Sequence, residues 1–232
     1  TVQADRPGIA VSPMLYGIFF EEINCAGDGG LYAELVRNRS FEDADTPEHW
    51  ELVTAGNAKG EMSLDLASPM SDRNPRALKL RVDSLEGGRV AVANGGFWGM
   101  AVKQGEAYRL SLRARAGADF AGGLTATLET ADGRVLARRA LKRPGKEWGA
   151  LEATLKPSAS DASARLAIGA ESTGTVWLDG VSLFPGKTWK GRENGLRVDL
   201  AEKLVALKPA FVRFPGGCWV EGDRMKDAYR WK

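Results

Sequence analysis

Hydrophobic and polar positions form three successive patterns along the chain. The first is a continuous apolar run over residues 15–20 that ends at the acidic pair Glu21 and Glu22. Such a run predicts a strand buried on both faces, as in a parallel sheet covered by helices. A turn-rich loop follows, and the spacing of Leu31 and Leu35 then predicts a short helix.

The second pattern, from about residue 46 to residue 185, consists of short segments in which apolar and polar positions alternate. Turn residues separate these segments, and Asp132-Gly133 is typical of a tight hairpin. Strands are predicted over residues 77–82, 89–93, 108–116, 124–130, 134–141, 149–155, 164–170 and 175–184. Their number and spacing predict an antiparallel β-sandwich, or jelly roll.

The third pattern restores the helical period after residue 186. Leu196, Leu200 and Leu204 recur every four residues. Asn194 is the predicted N-cap of this helix, and Pro209 is predicted to stop it.

A second buried strand, over residues 211–214, completes the order strand, loop, sandwich, helix, strand. This order indicates a βαβ unit with a whole domain inserted in its first βα loop. We therefore divide the chain into residues 1–45, an inserted module over 46–186, and residues 187–232. The first part carries 3 basic and 8 acidic side chains, and the last 43 residues carry 10 and 6, which favours packing of the two ends as one body.

Composition excludes several classes of function. The chain has 232 residues with 32 basic and 30 acidic side chains, so no excess charge points to a nucleic-acid or membrane partner. The single histidine, His49, argues against a multi-histidine metal centre or a histidine-based triad. Cys25 and Cys218 lie far apart and fit neither a disulfide framework nor a zinc site, so both are predicted to be free thiols.

Two candidate binding motifs lie at the predicted carboxyl ends of neighbouring strands. Adjacent side chains on a strand face opposite sides, so only one of Glu21 and Glu22 can enter a given pocket. Residues 213–218 place Arg213, two glycines and Cys218 at the end of the other strand. Parallel strands lie about 4.8 Å apart, which would bring the two motifs together. The alternatives are a solvated acidic pair and an ordinary strand-to-turn junction.

Aromatic side chains of the sandwich are candidates for stacking on sugar rings. Phe97 and Trp98 lie in a loop bounded by glycines, which favours exposure. Tyr108 and Trp177 lie within alternating strands and are expected in the core.

Glu42, at the start of the sandwich, and Asp179, near its end, are candidate ligands for calcium. Their carboxylates are hard oxygen ligands, although two carboxylates are fewer than the six to eight oxygens that the ion takes.

Residues 15–24 and 27–42, and the stretch from residue 195 through residue 218, carry a resemblance to a known family. They resemble the N-terminal part of the α-L-arabinofuranosidases of glycoside hydrolase family 51. The end of the middle region, with its Trp-Leu-Asp-Gly-Val-Ser-Leu sequence at 177–183, is similar to family 4-type carbohydrate-binding modules.

The resemblance implies a mainly β chain in which a jelly roll is inserted in the first βα loop of an incomplete (β/α)₈ barrel. It also implies a retaining hydrolase that releases terminal arabinofuranosyl units from arabinoxylan or arabinan in hemicellulose degradation and L-arabinose metabolism. Two carboxylates perform such a reaction without a cofactor, and by the family pattern both are glutamates on later barrel strands. We therefore expect the chain by itself to be inactive. Glu21 matches the family's sugar-hydroxyl ligand, and Arg213 and Cys218 match residues that support or line the same subsite.

The expected partners are thus arabinose-containing polysaccharides or oligosaccharides, and the expected location is secreted or periplasmic. The βα loops of a (β/α)₈ barrel lie on the face that carries the active site. A sandwich inserted in one of these loops would therefore lie beside the catalytic cleft. Unpaired barrel strands also predict a homo-oligomer, poor order at both ends, or further chain that is missing. Two other hypotheses stay open: a stand-alone glycan-binding jelly roll without catalysis, and a calcium-stabilised structural sandwich.

Overall fold

The computed structural model describes residues 5–6 and 8–224, apart from the side chain of Trp219. These residues form two compact units. One unit, Ala33–Lys187, is named here the sandwich unit. The other combines the described residues up to Tyr32 with those from Thr188 onward and is named the flanking unit. The described residues before Ala33 and after Lys187 therefore belong to one body, as the opposite charges of the two end segments predict.

Eleven antiparallel strands build the sandwich unit. They are β2 (Trp50–Ala55), β3 (Lys59–Asp65), β4 (Ala77–Ser84), β5 (Arg89–Asn94), β6 (Met100–Val102), β7 (Tyr108–Ala116), β8 (Leu124–Glu129), β9 (Val135–Leu141), β10 (Gly149–Leu155), β11 (Asp161–Ala170) and β12 (Gly174–Pro185). Five form a sheet in the order β10-β7-β12-β4-β3. The others form a sheet in the order β2-β5-β11-β8-β9, in which β6 also pairs with β11. The mainly β, antiparallel sandwich is therefore confirmed.

Apolar side chains from both sheets form a single hydrophobic core. Burial alternates along β7, where every second residue from Tyr108 to Ala116 is buried. The Asp132-Gly133 hairpin joins β8 to β9, and Gly133 adopts the left-handed conformation that the turn requires. Tyr108 lies in the core as predicted.

All eight predicted strands are present, and three further strands were not predicted. The additional strands are β2, β3 and β6. β2 and β3 are edge strands with many exposed residues, so their apolar alternation is weak, and β6 has only 3 residues. The core position predicted for Trp177 is wrong. It points to the outer face of its sheet, between Arg115 and Lys79, whereas Val176 and Leu178 point inward.

The helix predicted from Leu31 and Leu35 is wrong, because the segment after Tyr32 forms no helix and bonds to β12 instead. Leu35 donates its N–H to the Leu183 carbonyl (3.0 Å). The buried Glu34 carboxylate accepts the N–H of Leu183 (2.8 Å) and the Ser182 hydroxyl (2.6 Å). It also accepts the backbone N–H groups of Leu35 and Val36 (3.0 Å each).

These bonds place residues 33–45 in the sandwich unit. The sequence predicts a module that begins at residue 46 and ends at residue 186, whereas the compact unit begins at Ala33 and ends at Lys187. Phe41 explains the difference, because this side chain is fully buried and packs on Trp50 with ring centroids 5.2 Å apart.

A parallel strand pair is the centre of the flanking unit. β1 (Ile18–Phe19) pairs with β13 (Val212–Arg213), with Ile18 opposite Val212, which confirms the predicted parallel adjacency. A short 3₁₀ helix (Trp189–Gly191) and α1 (Val198–Ala206) precede β13, and the four-residue α2 (Cys218–Glu221) follows it. None of the helices in the described part of the chain is long and apolar enough to cross a bilayer.

Two details of the flanking unit differ from the sequence predictions. Both strands were predicted to be buried, but Phe19 is 52% exposed and Val212 is 57% exposed. In the described residues their sheet has only two strands, so its faces stay partly open. Asn194 does not cap α1, because Arg197 occupies that position and Asn194 adopts a left-handed turn conformation instead.

Replacing Glu34 by Ala should lower the free energy of unfolding by about 3 kcal/mol, because three backbone N–H groups and a hydroxyl lose their acceptor. Urea unfolding of residues 1–232 measures this change. Glu86→Ala, at an exposed loop position, is the matched control and should change the free energy by less than about 0.5 kcal/mol. Equal effects of the two substitutions would contradict the role given to Glu34.

Candidate functional site

The parallel pairing of β1 and β13 brings the ends of both strands to one place. The Phe20 N–H donates to the Arg213 carbonyl (2.9 Å), and the Glu22 N–H donates to the Pro215 carbonyl (2.8 Å). The pairing therefore continues beyond the regular strands, and Glu21 lies opposite the two glycines that follow Pro215.

A direct hydrogen bond links the two predicted motifs. The Gly217 N–H donates to Oε1 of Glu21 (2.8 Å). Gly216 adopts φ +145°, and a Cβ at this position would overlap the side chain of Glu21. Only glycine fits there, because both the backbone conformation and the close approach exclude a side chain.

Arg213 and Phe19 complete the surroundings of Gly217. The Arg213 guanidinium lies 4.9 Å from the centroid of the Phe19 ring, within the range of a cation–π interaction. A Cβ placed on Gly217 would lie 3.8 Å from Glu21 Oε1 and 4.0 Å from Arg213 Nη2. A carboxylate acceptor and a guanidinium donor thus flank one point, and both side chains are at least partly exposed. This arrangement can bind the hydroxyl groups of a polar ligand.

Cys218 enters this site through its position in the chain. It is the first residue of α2, directly after Gly217, and carries an exposed free thiol. Cys25 is also a free thiol, as predicted.

Glu22 points away from this cluster, as the alternation along a strand requires. Its carboxylate accepts the Asp28 N–H (3.1 Å to Oε2) and leaves the residue only 8% exposed. Burial is the main cause that raises the pKa of Glu22. Of the acidic pair, Glu22 therefore fixes the following loop and Glu21 faces the glycine pair.

The aromatic candidates of the sandwich unit lie in the loop between β5 and β6. Trp98 is 70% exposed and Phe97 is half-buried, with their ring centroids 6.1 Å apart. The Arg37 guanidinium lies 5.7 Å from the centroid of Phe97. An exposed indole beside a second ring and a cation can stack on the apolar face of a sugar ring.

Asn94 holds this loop in place through hydrogen bonds of its side chain, a role that was not predicted from the sequence. Its fully buried amide accepts the N–H groups of Gly96 (2.9 Å) and Arg37 (3.3 Å). It donates to the carbonyls of Arg37 (2.9 Å) and His49 (3.0 Å). The signal in the sequence was an Asn between an apolar strand and two glycines, but its partners are 45 and 57 residues away and could not be inferred.

Asp179 lies at a bulge in β12. Gly180 adopts a left-handed conformation there, and the register with β7 shifts between Asp179 and Ser182. The Asp179 side chain is fully buried, and its Oδ1 accepts the Gly180 N–H (2.6 Å). Oδ2 has no hydrogen-bond partner. Burial, and to a lesser extent the charge of Glu42, raises the pKa of Asp179 to about 7.

Glu42 lies close enough to affect Asp179 but is already bonded. Its carboxylate accepts the backbone N–H of Arg76 (3.0 Å) and contacts the guanidinium of the same residue (3.2 Å). Across residues 5–6 and 8–224 no group of three or more His, Cys, Asp or Glu side chains is arranged to hold a metal ion. Backbone carbonyls and water would therefore have to supply most ligands of any cation at Asp179.

Comparison with known proteins shows what the chain is similar to. No protein-family model matches the chain. It is 39% identical over 246 residues to "Alpha-L-arabinofuranosidase 1" of Arabidopsis thaliana, an alignment that covers 100% of this chain and 36% of the relative. It is 40% identical over 247 residues to an extracellular exo-α-L-arabinofuranosidase of Streptomyces chartreusis, covering 100% of this chain and 28% of the relative.

A solved structure gives the same indication. An arabinose-bound GH51 α-L-arabinofuranosidase matches with a TM-score of 0.84 and 36% identity, over 94% of this chain and 36% of that chain. The chain thus spans only about a third of the length of the relatives it matches. Over that span, its sequence and its fold are similar to those of α-L-arabinofuranosidases.

Proposed function

We propose that the chain is the N-terminal part of a retaining α-L-arabinofuranosidase that releases terminal arabinofuranosyl units from arabinoxylan or arabinan. The observation that carries this proposal is the similarity to named arabinofuranosidases along the whole chain, at 39% and 40% identity. The cluster around Gly217 supports it, because a carboxylate and a guanidinium at adjacent strand ends suit the hydroxyl groups of a sugar.

In this proposal the chain binds sugar but does not cleave it. Retaining hydrolysis needs two carboxylates about 5–5.5 Å apart, one as acid/base and one as nucleophile. Glu22 is turned away to Asp28, which leaves Glu21 as the carboxylate of the acidic pair that faces the site. Glu21 would accept a hydrogen bond from a sugar hydroxyl, Arg213 would donate one, and Cys218 would line the same subsite. The two catalytic carboxylates would come from further chain.

The strands of the flanking unit would be the first two strands of a (β/α)₈ barrel. Their parallel pairing, with α1 preceding the second strand, supports this assignment. The sandwich unit would then be a family 4-type carbohydrate-binding module inserted after the first strand.

We propose a secreted or periplasmic location, because one relative is named extracellular. We also propose that the exposed apolar residues of β1 and β13 favour a homo-oligomer.

The exposed Trp98 supports a second candidate function, glycan binding by the sandwich unit itself. The loop that presents it is fixed by Asn94, so the indole is held ready for a ligand at little entropic cost.

A third proposal is a calcium ion at Asp179 and Glu42 that stabilises the sandwich. The partnerless Oδ2 of Asp179 supports it, since a buried carboxylate oxygen without a donor is costly unless a proton or a cation neutralises it. The cation would be structural and take no part in hydrolysis.

In the complete enzyme, Glu21→Gln should lower kcat/KM for an aryl α-L-arabinofuranoside by about 10- to 100-fold, the worth of a hydrogen bond to a charged group. The Gln side chain can still accept the Gly217 N–H, so the fold is kept. Glu202→Gln, at an exposed position of α1, should leave kcat/KM unchanged. Residues 1–232 alone should show no turnover, and turnover by them near the rate of the complete enzyme would refute the proposal.

Trp98→Ala should weaken the binding of arabinoxylan to residues 1–232 by about tenfold, as expected for an aromatic anchor. Isothermal titration calorimetry measures this change. Leu66→Ala, which removes another exposed apolar side chain of the same unit, should have no effect on affinity. If wild type does not bind, or if both variants bind as wild type does, the sandwich unit is a spacer.

Asp179→Asn should distinguish a cation site from a carboxyl that is merely protonated. A pKa raised to about 7 means that ionisation destabilises the folded state increasingly from about pH 4, and fully above pH 7. With chelator at pH 8, the variant should therefore be more stable than wild type, by up to about 4 kcal/mol. With calcium at pH 8, the melting temperature of wild type should rise and that of the variant should not. A wild-type melting temperature indifferent to calcium would exclude the site.

A further inference from the structure

We propose that the edge strand β9 and the loop that follows it form a binding surface for polysaccharides that carry uronate carboxylates. Six basic side chains lie within 13 consecutive residues, with no acidic residue between them. They are Arg134, Arg138, Arg139, Lys142, Arg143 and Lys146, and we name this surface the basic edge. This proposal rests on the proposed function in one respect: the proposed function is the reason for naming a polysaccharide as the ligand instead of another polyanion.

The fold exposes the whole basic edge. β9 is the last strand of its sheet, paired on one side with β8. Its apolar residues Leu136 and Leu141 are buried in the core and anchor the strand. All six basic side chains are exposed. Arg138 and Arg139 therefore lie on the packed strand, and the other four cations lie in the loops before and after it, where they face solvent.

The six cations form no ion pairs within the described residues, although Arg134 interacts electrostatically with the nearby carboxylate of Asp132. Arginines elsewhere in the chain form ion pairs, such as Arg89 and Arg165 with the buried Glu129. No ion pair of the described part of the chain involves any of the six cations. The chain as a whole has a net charge of +2, so all residues outside this segment together carry −4. The positive charge is a local feature.

Protection of a sheet edge against aggregation is the alternative explanation, because Lys and Arg on edge strands discourage strand pairing. The other edges of the two sheets argue against it as the full cause. β10 carries a single charged residue, Glu152, and β2 carries only Glu51. β3 carries mixed charges. β9 itself carries two arginines, and the other four cations lie in loops outside the paired strand, where they cannot protect its edge.

The chemistry of the basic edge favours carboxylates on a repeating chain. Arginine, which supplies four of the six cations, binds carboxylates through two parallel hydrogen bonds. Arg138 and Arg139 are consecutive in β9 and face opposite sides of the sheet, and the other four cations lie in the adjoining loops, so an acidic polymer lying along the edge can meet cations on both sides. Single-stranded nucleic acids are bound by stacking on aromatic rings, and residues 134–146 contain none.

The test measures the affinity of residues 1–232 for polygalacturonate and for the same polymer with its carboxyl groups methyl-esterified. Wild type should bind the acidic polymer at least tenfold more tightly than the ester. Binding should weaken roughly tenfold between 50 and 200 mM NaCl, as for a contact that releases about two counterions. Neutral arabinan, as a third ligand, should not compete for the basic edge.

A matched pair of triple variants localises the effect. Arg138→Gln, Arg139→Gln and Lys142→Gln together should weaken binding of polygalacturonate at least tenfold. Lys59→Gln, Lys103→Gln and Lys156→Gln remove the same charge from exposed positions of the same unit and should weaken it less than twofold. Unchanged melting temperatures verify that both variants fold.

Three results would overturn the proposal: no binding of polygalacturonate, equal loss in both triple variants, or tighter binding of duplex DNA than of polygalacturonate. None of these results bears on the Glu21 experiment, which measures turnover of a small neutral substrate. Conversely, if the Glu21 experiment refuted the arabinofuranosidase proposal, the measured affinities for the acidic and the esterified polymer would still stand.

Discussion

The buried carboxylate of Glu34 is the constraint on which the organisation of the chain depends. It joins the first residues of the sandwich unit to β12, the last strand of that unit, across 148 residues. A domain can be inserted into another only if its two ends lie close together, and this carboxylate holds them there. The two segments of the flanking unit are joined by a bond of their own, since the Arg197 N–H donates to the Leu31 carbonyl (2.9 Å). Each unit therefore has internal hydrogen bonds that hold its segments together near the points where the chain passes from one unit to the other.

The sequence predicts those parts of the fold in which local pattern and burial agree. β7 and β10 match their predicted ranges, because every second side chain enters one core. β2 and β3 escaped prediction because edge strands bury too few residues to show a period. The helix expected near Leu35 failed for another reason. Its apolar spacing was real, but bonds to a strand far away in sequence decided the backbone conformation, and periodicity carries no information on such partners.

The same distinction separates the predictable and unpredictable parts of the candidate sites. Glu21 and Arg213 could be brought together from the sequence, because consecutive parallel strands place their ends side by side. The role of Asn94 depends on the distant backbone of Arg37, and the burial of Asp179 depends on a bulge in β12. Both are results of tertiary packing around a polar group, which no local pattern contains.

Five carboxylates of this chain show why residue type alone does not identify a site. Glu34 is buried with several donors, and Glu129 is buried against two arginines, so both hold structure. Glu22 fixes a loop through Asp28, and Asp179 keeps one oxygen without a donor. Glu21 alone of the five combines partial exposure with a place beside an exposed guanidinium. The chemical group is common to all five, so the surroundings decide which carboxylate can meet a ligand. Such a carboxylate must be accessible to the ligand, positioned by a rigid neighbour, and placed beside a donor that can bind the same hydroxyl.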